Sequence, residues 1–313
     1  LEKQLIYNIK KNNNYINIKR INILFKMSVC YPLIINKSHL VNNTTNTYRY
    51  DFSSNVDMSN VDIGLGSASI WFSWRNITSI KNNNKFSIIH PTFAGNTTLN
   101  LTIPDGGYEI SDINNYLRYY LVNNGYYIQN NSTQEQIVYA EFQVNASTYT
   151  VEFVTYPLPI TLPSGFTAGS AITFPTTTRC PQLIVNQLGF GSVIGFELGT
   201  FPAVQPTVLT TVASTKVPIV SDVTNVVLTL DSAMNPFSGN SRVIHSISPA
   251  GYKYAQLIKS EPTEIAWVPQ QSSWRNQITI QLVNQNLQPI DQYDTDITIK
   301  LLLRLRDQNN LNR

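Results

Sequence analysis

The stretch "QIVYAEFQVNASTYTVEFVTY", residues 136–156, decides the fold class. Val138, Ala140, Phe142 and Val144 fall on one side of an extended chain, and Tyr149, Val151 and Phe153 resume the alternation after Asn145-Ala146-Ser147. Successive side chains of a strand point to opposite faces, so a period of two marks a strand with one buried face. Two such runs around a short polar turn make a hairpin.

The same period recurs on both sides of that hairpin. "TYRYDFS" (47–53) and "TTLNLTIP" (97–104) carry it upstream, and "VDIGLGSASIWFSW" (61–74) continues it with glycines that mark a bend or bulge. Downstream lie "NVVLTLDS" (225–232), "RVIHSIS" (242–248), "TEIAWVP" (263–269), "QITIQLVN" (277–284) and "DITIKLLLRL" (296–305). More than eight short strands at hairpin spacing describe an all-β sandwich, and a single jelly roll suits the count and the length of 313 residues. Stretches rich in Pro, Gly, Thr and Ser at 157–181 and 201–218 read as long loop insertions. The expected organisation is an N-terminal arm over 1–38 and a jelly-roll domain over 39–313.

One segment breaks the pattern. In "TIPDGGYEISDINNYLRYYLVNNGYYI" (102–128), Ile113, Tyr116, Leu117, Tyr120 and Leu121 recur at helical spacing, which predicts one short α-helix over about 111–124. Ser111 is its expected N-cap, Asp112 puts negative charge at the positive end of the dipole, and Asn123-Asn124-Gly125 stops it. Its length of about 20 Å is enough to close one edge or end of a sandwich.

Composition narrows the function. Charged residues are 13% of the chain, against about 25% in typical soluble domains, so much of the surface is polar without charge. This suits a protein covered by neighbours, and it equally suits an AT-rich genome. The net charge of +3 is concentrated at the start, where Lys3, Lys10, Lys11, Lys19, Arg20 and Lys26 face one acid, Glu2. That arm admits two readings: a contact to packaged nucleic acid or to the inner shell, or translated spacer upstream of the first methionine, Met27. Two cysteines do not make a disulfide scaffold, so a reduced, intracellular site of folding is expected. No run approaches the roughly 18 apolar residues of a membrane span.

Catalytic signals are sparse. His39, His90 and His245 are isolated, and no metal-ligand spacing, nucleophile elbow or nucleotide loop is present. Asp51, Asp57, Asp62 and Glu141 are the candidate carboxylates for glycoside hydrolysis, and Trp71, Trp74, Trp267 and Trp274 are candidates for a sugar-stacking platform. Ser-Trp-Arg-Asn occurs at both 73–76 and 273–276, which is either coincidence or a pair of Trp anchors at equivalent strand ends. The expectation is no enzyme and no cofactor, with an attachment or carbohydrate-binding module as the alternative to a purely structural role.

The run "SWRNITSIKNNNKFSIIHPTFAGNTTLNLTIPDGGYEISDINNYL" (73–117) resembles the minor capsid, or penton, proteins of virophages and Polinton-type elements. The residues that carry the resemblance are Trp74, Asn76, Ile77, Asn83, Asn84 and Phe86, then Ile103, Pro104, Gly106, Tyr108, Asp112, Ile113 and Asn114. Leu188-Gly189-Phe190 and the closing stretches at 278–291 and 296–303 fit the same scheme. Gly106-Gly107 departs from it, because the pattern carries one glycine before the tyrosine. The resemblance implies a single jelly roll that forms a homopentamer at icosahedral five-fold vertices and touches the major capsid protein. Its place would be the virion, after assembly in the host cytoplasm or a cytoplasmic virus factory.

Overall fold

The computed structural model describes residues 29–306. Lys3, Lys10, Lys11, Lys19, Arg20 and Lys26 therefore lie outside the described residues. The described chain is all-β with two α-helices, and its buried apolar side chains fall into two large cores.

The chain opens with β1 (Cys30–Asn36), β2 (Thr47–Asp57) and β3 (Val61–Trp71). It then leaves this sandwich to build β4 (Lys85–Thr92), β5 (Gly95–Thr102), α1 (Ile110–Asn123), β6 (Ile128–Asn130), β7 (Gln136–Ile137), β8 (Ala140–Asn145) and β9 (Thr150–Thr155). β10 (Phe166–Ala168), β11 (Gln182–Val185), α2 (Leu188–Ile194), β12 (Gly199–Phe201) and β13 (Thr210–Ala213) complete that second body. The chain returns as β14 (Val226–Leu230), β15 (Val243–Ile247), β16 (Leu257–Ser260), β17 (Val268–Pro269), β18 (Trp274–Val283) and β19 (Ile297–Leu305).

The outer parts of the chain form two antiparallel sheets, β1-β19-β3-β16 and β15-β14-β18-β2. Pairing the first strand with the last, and the second with the one before the last, is the strand order of a jelly roll. Ile35, Ile63, Leu65, Ile299 and Leu301 of one sheet meet Tyr48, Leu228, Ile278, Ile280 and Leu282 of the other, as a period of two requires. The glycines of β3 are a bulge and a crossing point. Lys300 pairs with Ser67 and Leu301 with Leu65, which leaves Gly66 without a partner. At Gly64 a Cβ would lie 2.3 Å from Ile265 Cγ2, so only glycine lets the strap before β17 cross the sheet.

The second body is also a sandwich. Sheet β12-β11-β4-β5 packs over sheet β13-β9-β8, and a small sheet, β10-β6-β7, covers its own cluster of Ile128, Tyr139, Leu158 and Ile172. The predicted helix closes an open side here rather than on the jelly roll. Ile113, Leu117 and Leu121 enter the second core. The Tyr116 and Tyr120 hydroxyls donate to the carbonyls of Thr102 (2.6 Å) and Asn100 (3.2 Å) on edge strand β5. Four helical residues rise about 6 Å and two strand residues about 6.7 Å, so the spacings match. From the same helix, Asn114 Oδ1 accepts the Phe142 N–H of the other edge strand, β8, at 2.8 Å. One helix thus satisfies edge groups on both sheets, which blunts two strands that would otherwise pair with other chains.

Three local expectations shift. The helix begins at Ile110 with Glu109 as N-cap, not Ser111, because the Asp112 carboxylate accepts the Glu109 N–H at 2.9 Å and draws the first turn back. The β8–β9 turn extends to Tyr149, which sits at φ 54° and is exposed instead of joining the buried face. The segments 157–181 and 201–218 are not wholly loop, since they contain β10 and β13.

The jelly roll has two distinct ends. Cys30 pairs with Arg304 and Val61 with Leu305, so both ends of the described chain lie where β3 begins. The second sandwich departs where β3 finishes, about 33 Å away at the rise of a strand.

Candidate functional site

The motif residues converge on the crossing between the two sandwiches. Trp74 is buried in the jelly-roll core and Ile77, three residues later, is buried in the second core. Asn76 lies between them and ties three chain segments together. Its Nδ2 donates to the carbonyls of Tyr108 (2.7 Å) and Val220 (2.6 Å), and its Oδ1 accepts the Tyr108 N–H at 2.8 Å. An amide is required, because only Asn or Gln offers donors and an acceptor on one planar group. The outgoing chain is thereby fixed to the returning chain at Val220.

The neighbouring residues continue the clasp. Ile77 and Gly106 exchange backbone hydrogen bonds at 3.2 and 2.9 Å. Asn83 Oδ1 accepts the Thr78 N–H, and its Nδ2 donates to the Asn76 carbonyl, each at 2.8 Å. Asn84 pairs with Ile103, which carries the chain out of β5, and the exposed Pro104 turns it toward Gly106. Asp112 caps α1, and Ile113 continues the buried stripe that Ile110 begins. Ion pairs flank the crossing, with Lys81 on Asp222 and Arg75 on Asp291, both at 3.0 Å.

Leu188-Gly189-Phe190 joins from a distance. The Phe190 ring stacks on Phe86 with centroids 4.7 Å apart and planes 3° apart. At Gly189 a Cβ would come within 2.8 Å of both the Asn82 carbonyl and Asn83 Cβ. Gln187 completes the seam, accepting the Lys85 N–H at 2.8 Å and donating to Asn82 Oδ1 at 2.7 Å. The resemblance singles out Asn83, Phe86 and Leu188-Gly189-Phe190 without indicating that they touch.

A cleft of about 190 Å³ opens beside the crossing, lined by Phe72, Trp74, Tyr108, Glu109, Tyr252 and Tyr254 among others. Phe72 stacks on Trp74 at 4.3 Å, and Tyr254, from the β15–β16 loop of the jelly roll, lies against Gly107 of the second sandwich. Sequence reasoning missed Tyr254, Val220 and Asp222. The second glycine of Gly106-Gly107 was the available sign that something packs close there.

The candidates for chemistry scatter. Asp51 pairs with Arg49, and Asp57 bonds Ser59. Asp62 is buried between Arg304 and Arg306, at 3.2 and 2.9 Å. Glu141 lies in the second sandwich, where Tyr156 donates to it at 2.5 Å, a bond that pushes the phenol up to about 12. The tryptophans form no platform. Trp71 and Trp74 sit at the crossing end of β3, whereas Trp267 stacks under Arg304 and Trp274 pairs with Asp57 at the far end. The repeated Ser-Trp-Arg-Asn does opposite work, with Trp74 2% and Trp274 70% exposed. Of the histidines, His90 is buried, His39 stacks on Tyr50, and His245 lies near Ser260. Among the described residues no group of three or more His, Cys, Asp or Glu side chains could hold a metal ion, and no helix is long and apolar enough to cross a membrane.

The chain aligns over most of its length with solved virophage structures. One relative is the mavirus penton protein, whose crystal structure aligns over 90% of this chain and 100% of that one, at 10% identity and a TM-score of 0.40. Another is a chain of the Sputnik virophage in its 3.5 Å cryo-EM structure, covering 89% of this chain and 98% of that one, at 10% identity and a TM-score of 0.41. No protein-family model matches the sequence, and no curated protein does.

Proposed function

We propose that this chain is a structural capsid protein that occupies the five-fold vertices of an icosahedral virion as a homopentamer, in contact with the major capsid protein. The observation that carries the reading is the bipolar build. A jelly roll keeps both ends of the described chain at one pole, and a second sandwich, clasped by Asn76, stands at the other. A shell component needs an inner and an outer pole of this kind. Side-by-side association of identical jelly rolls in a closed ring supplies the rest through repeated heterologous contacts. The sequence resemblance at 73–117 supports the same reading, since its residues build the crossing itself. The described chain begins at the pole opposite the second sandwich, and a contact of Lys3, Lys10, Lys11, Lys19, Arg20 and Lys26 with packaged DNA or the inner shell belongs to the same proposal. Assembly in the host cytoplasm follows from the same resemblance.

The test is position in the particle. A reconstruction of purified virions is expected to place the jelly roll at the five-fold axes with the 76–220 body outermost. Density for this chain elsewhere, or a stable trimer with glycan affinity in solution, overturns the reading in favour of an attachment module. Peptides from residues 1–26 in virions test the arm, and a mature N-terminus at Met27 removes the DNA contact.

A further inference from the structure

A groove of about 440 Å³ opens on the second sandwich, bordered by α1, β7, the start of β8 and the end of β9. Helix α1 starts at the crossing, and Arg118 on the groove wall lies eight residues, about 12 Å, farther along it. Glu135, Tyr139, Glu141 and Tyr156 line the groove with Arg118, beside apolar patches at Ile137 and Pro157. Its volume is that of a small-molecule site.

Three polar groups in the groove keep unused bonding capacity. Tyr139 is 7% exposed and packs with Ile128, Leu158 and Ile172, yet its hydroxyl has no partner among the described residues and is not sealed from solvent. Burial pushes this phenol up to about 12, so it stays protonated and able to donate. Glu141 is fixed through one oxygen. The Tyr156 hydroxyl and Gln143 Nε2 both donate to Oε1, at 2.5 and 2.7 Å, and Oε2 is left without a partner among the described residues. Arg118 spends Nη2 on the Gln136 carbonyl and pairs with neither Glu135 nor Glu141, although all three line the same groove.

This mixture selects the occupant. A phosphate or other anion would meet Glu135 and Glu141, and an amine or guanidinium would bring a second cation beside Arg118. An apolar segment would bury the Tyr139 hydroxyl and the Glu141 carboxylate without partners. A neutral polyhydroxylated ligand avoids each penalty, since every hydroxyl both donates and accepts. It can donate to Glu141 Oε2, accept from Arg118 and do either with Tyr139, while its C–H faces pack on Ile137, Pro157 and the tyrosine rings.

We infer that this groove binds a small uncharged saccharide, with Glu141, Arg118 and Tyr139 as its hydrogen-bonding groups. The site goes beyond the vertex reading and does not depend on it, because no residue of the Asn76 clasp or of the jelly roll contributes.

The experiment tests the full chain by saturation-transfer NMR against maltose, lactose, chitobiose and mannobiose, with sialyllactose and a heparin disaccharide as charged counterparts, each up to about 10 mM. Tyr139→Phe removes only the hydroxyl, and Glu141→Gln keeps an acceptor for Tyr156 while losing the charge. Circular dichroism verifies that both variants fold. Wild type is expected to bind at least one of the uncharged sugars in preference to the charged ones. Tyr139→Phe should bind it about fivefold more weakly and Glu141→Gln at least about tenfold more weakly. A second readout needs no variant: the bound sugar should protect Tyr139 and Tyr156 from nitration, read by peptide mass. Binding of none of the uncharged sugars, a preference for the charged ones, or equal affinity in wild type and both variants overturns the inference. Each of these outcomes leaves the vertex reading standing, which position in virions judges separately.

Discussion

Tyr254 of the jelly roll rests so closely on Gly107 of the second sandwich that a Cβ on Gly107 would stand 2.1 Å from Tyr254 Cδ2. This contact explains the second glycine of the Pro-Asp-Gly-Gly turn. It also makes the β15–β16 loop a third link between the bodies, beside the outgoing and returning chains. Gly107→Ala is expected to cost about 1–3 kcal/mol through overpacking, read from urea midpoints. In a double-mutant cycle Tyr254→Ala should relieve most of that cost, because the two changes share one contact. Additive losses would separate the two residues energetically.

Asn76→Ala removes three hydrogen bonds and strands a backbone N–H and two carbonyls at the crossing. Each buried group left without a partner costs about 1–3 kcal/mol, so a loss of several kcal/mol is expected. Asn76→Asp should be no better, since a carboxylate faces the carbonyls of Tyr108 and Val220 with no donor. Limited proteolysis gives the readout, with faster cleavage expected in 72–77 and 219–226 than in either sandwich. Unchanged proteolysis would mean that the ion pairs at Asp222 and Asp291 hold the crossing without the clasp.

Phe190→Ala opens a cavity opposite Phe86 in the second core, at a cost of about 3–5 kcal/mol. The jelly-roll core shares no residue with that one. Calorimetry should therefore separate an early transition of the second sandwich from a later one of the jelly roll. A single transition that shifts as a whole would show that the crossing couples the two bodies fully.

Acid should weaken the second sandwich through His90. Its Nδ1 lies 2.9 Å from the Pro91 carbonyl, its Nε2 is buried without a partner, and burial pulls the imidazole down to about 4. The unfolded chain takes up its proton near pH 6.5, whereas the folded chain resists until about pH 4. Stability from this group is complete above pH 6.5 and drains as pH falls toward 4. At about 1.4 kcal/mol per pH unit the total is of order 3 kcal/mol. His90→Gln should flatten the urea midpoint over that range relative to wild type, and parallel profiles would assign the acid sensitivity to other groups.

Much of the jelly roll was legible because period two is a local signal. Runs such as 277–284 and 296–305 bury alternate residues on the jelly-roll core, with Ile278, Ile280 and Leu282 facing Ile297, Ile299 and Leu301. Strand alternation is the same in any sandwich, so it does not reveal that Leu99 and Ile280 serve different cores. That partition is set by the tertiary bonds at Asn76 and by the long-range pairing of β3 with β19, neither of which leaves a periodic trace. Helix α1 was legible for the same reason as the strands, yet its partners were not. Tyr116 and Tyr120 looked like part of an apolar stripe, and their hydroxyls are what reach the edge of β5.

The clasp at Asn76 also bears on the order in which the chain matures. β3 cannot find β19 until more than two hundred further residues have been made, a non-local pairing of the kind that folds slowly. The 76–220 body needs none of those later residues and can condense while synthesis continues. Once it has, the Asn76 bond to Val220 holds the two ends of a long excursion 2.6 Å apart. For the jelly roll, the span from Trp74 to Val223 then behaves as a short turn. By the logarithmic dependence of loop closure on length, that shortening favours closing the jelly roll by about 2–3 kcal/mol. The projecting sandwich serves as an internal scaffold for the domain that carries it.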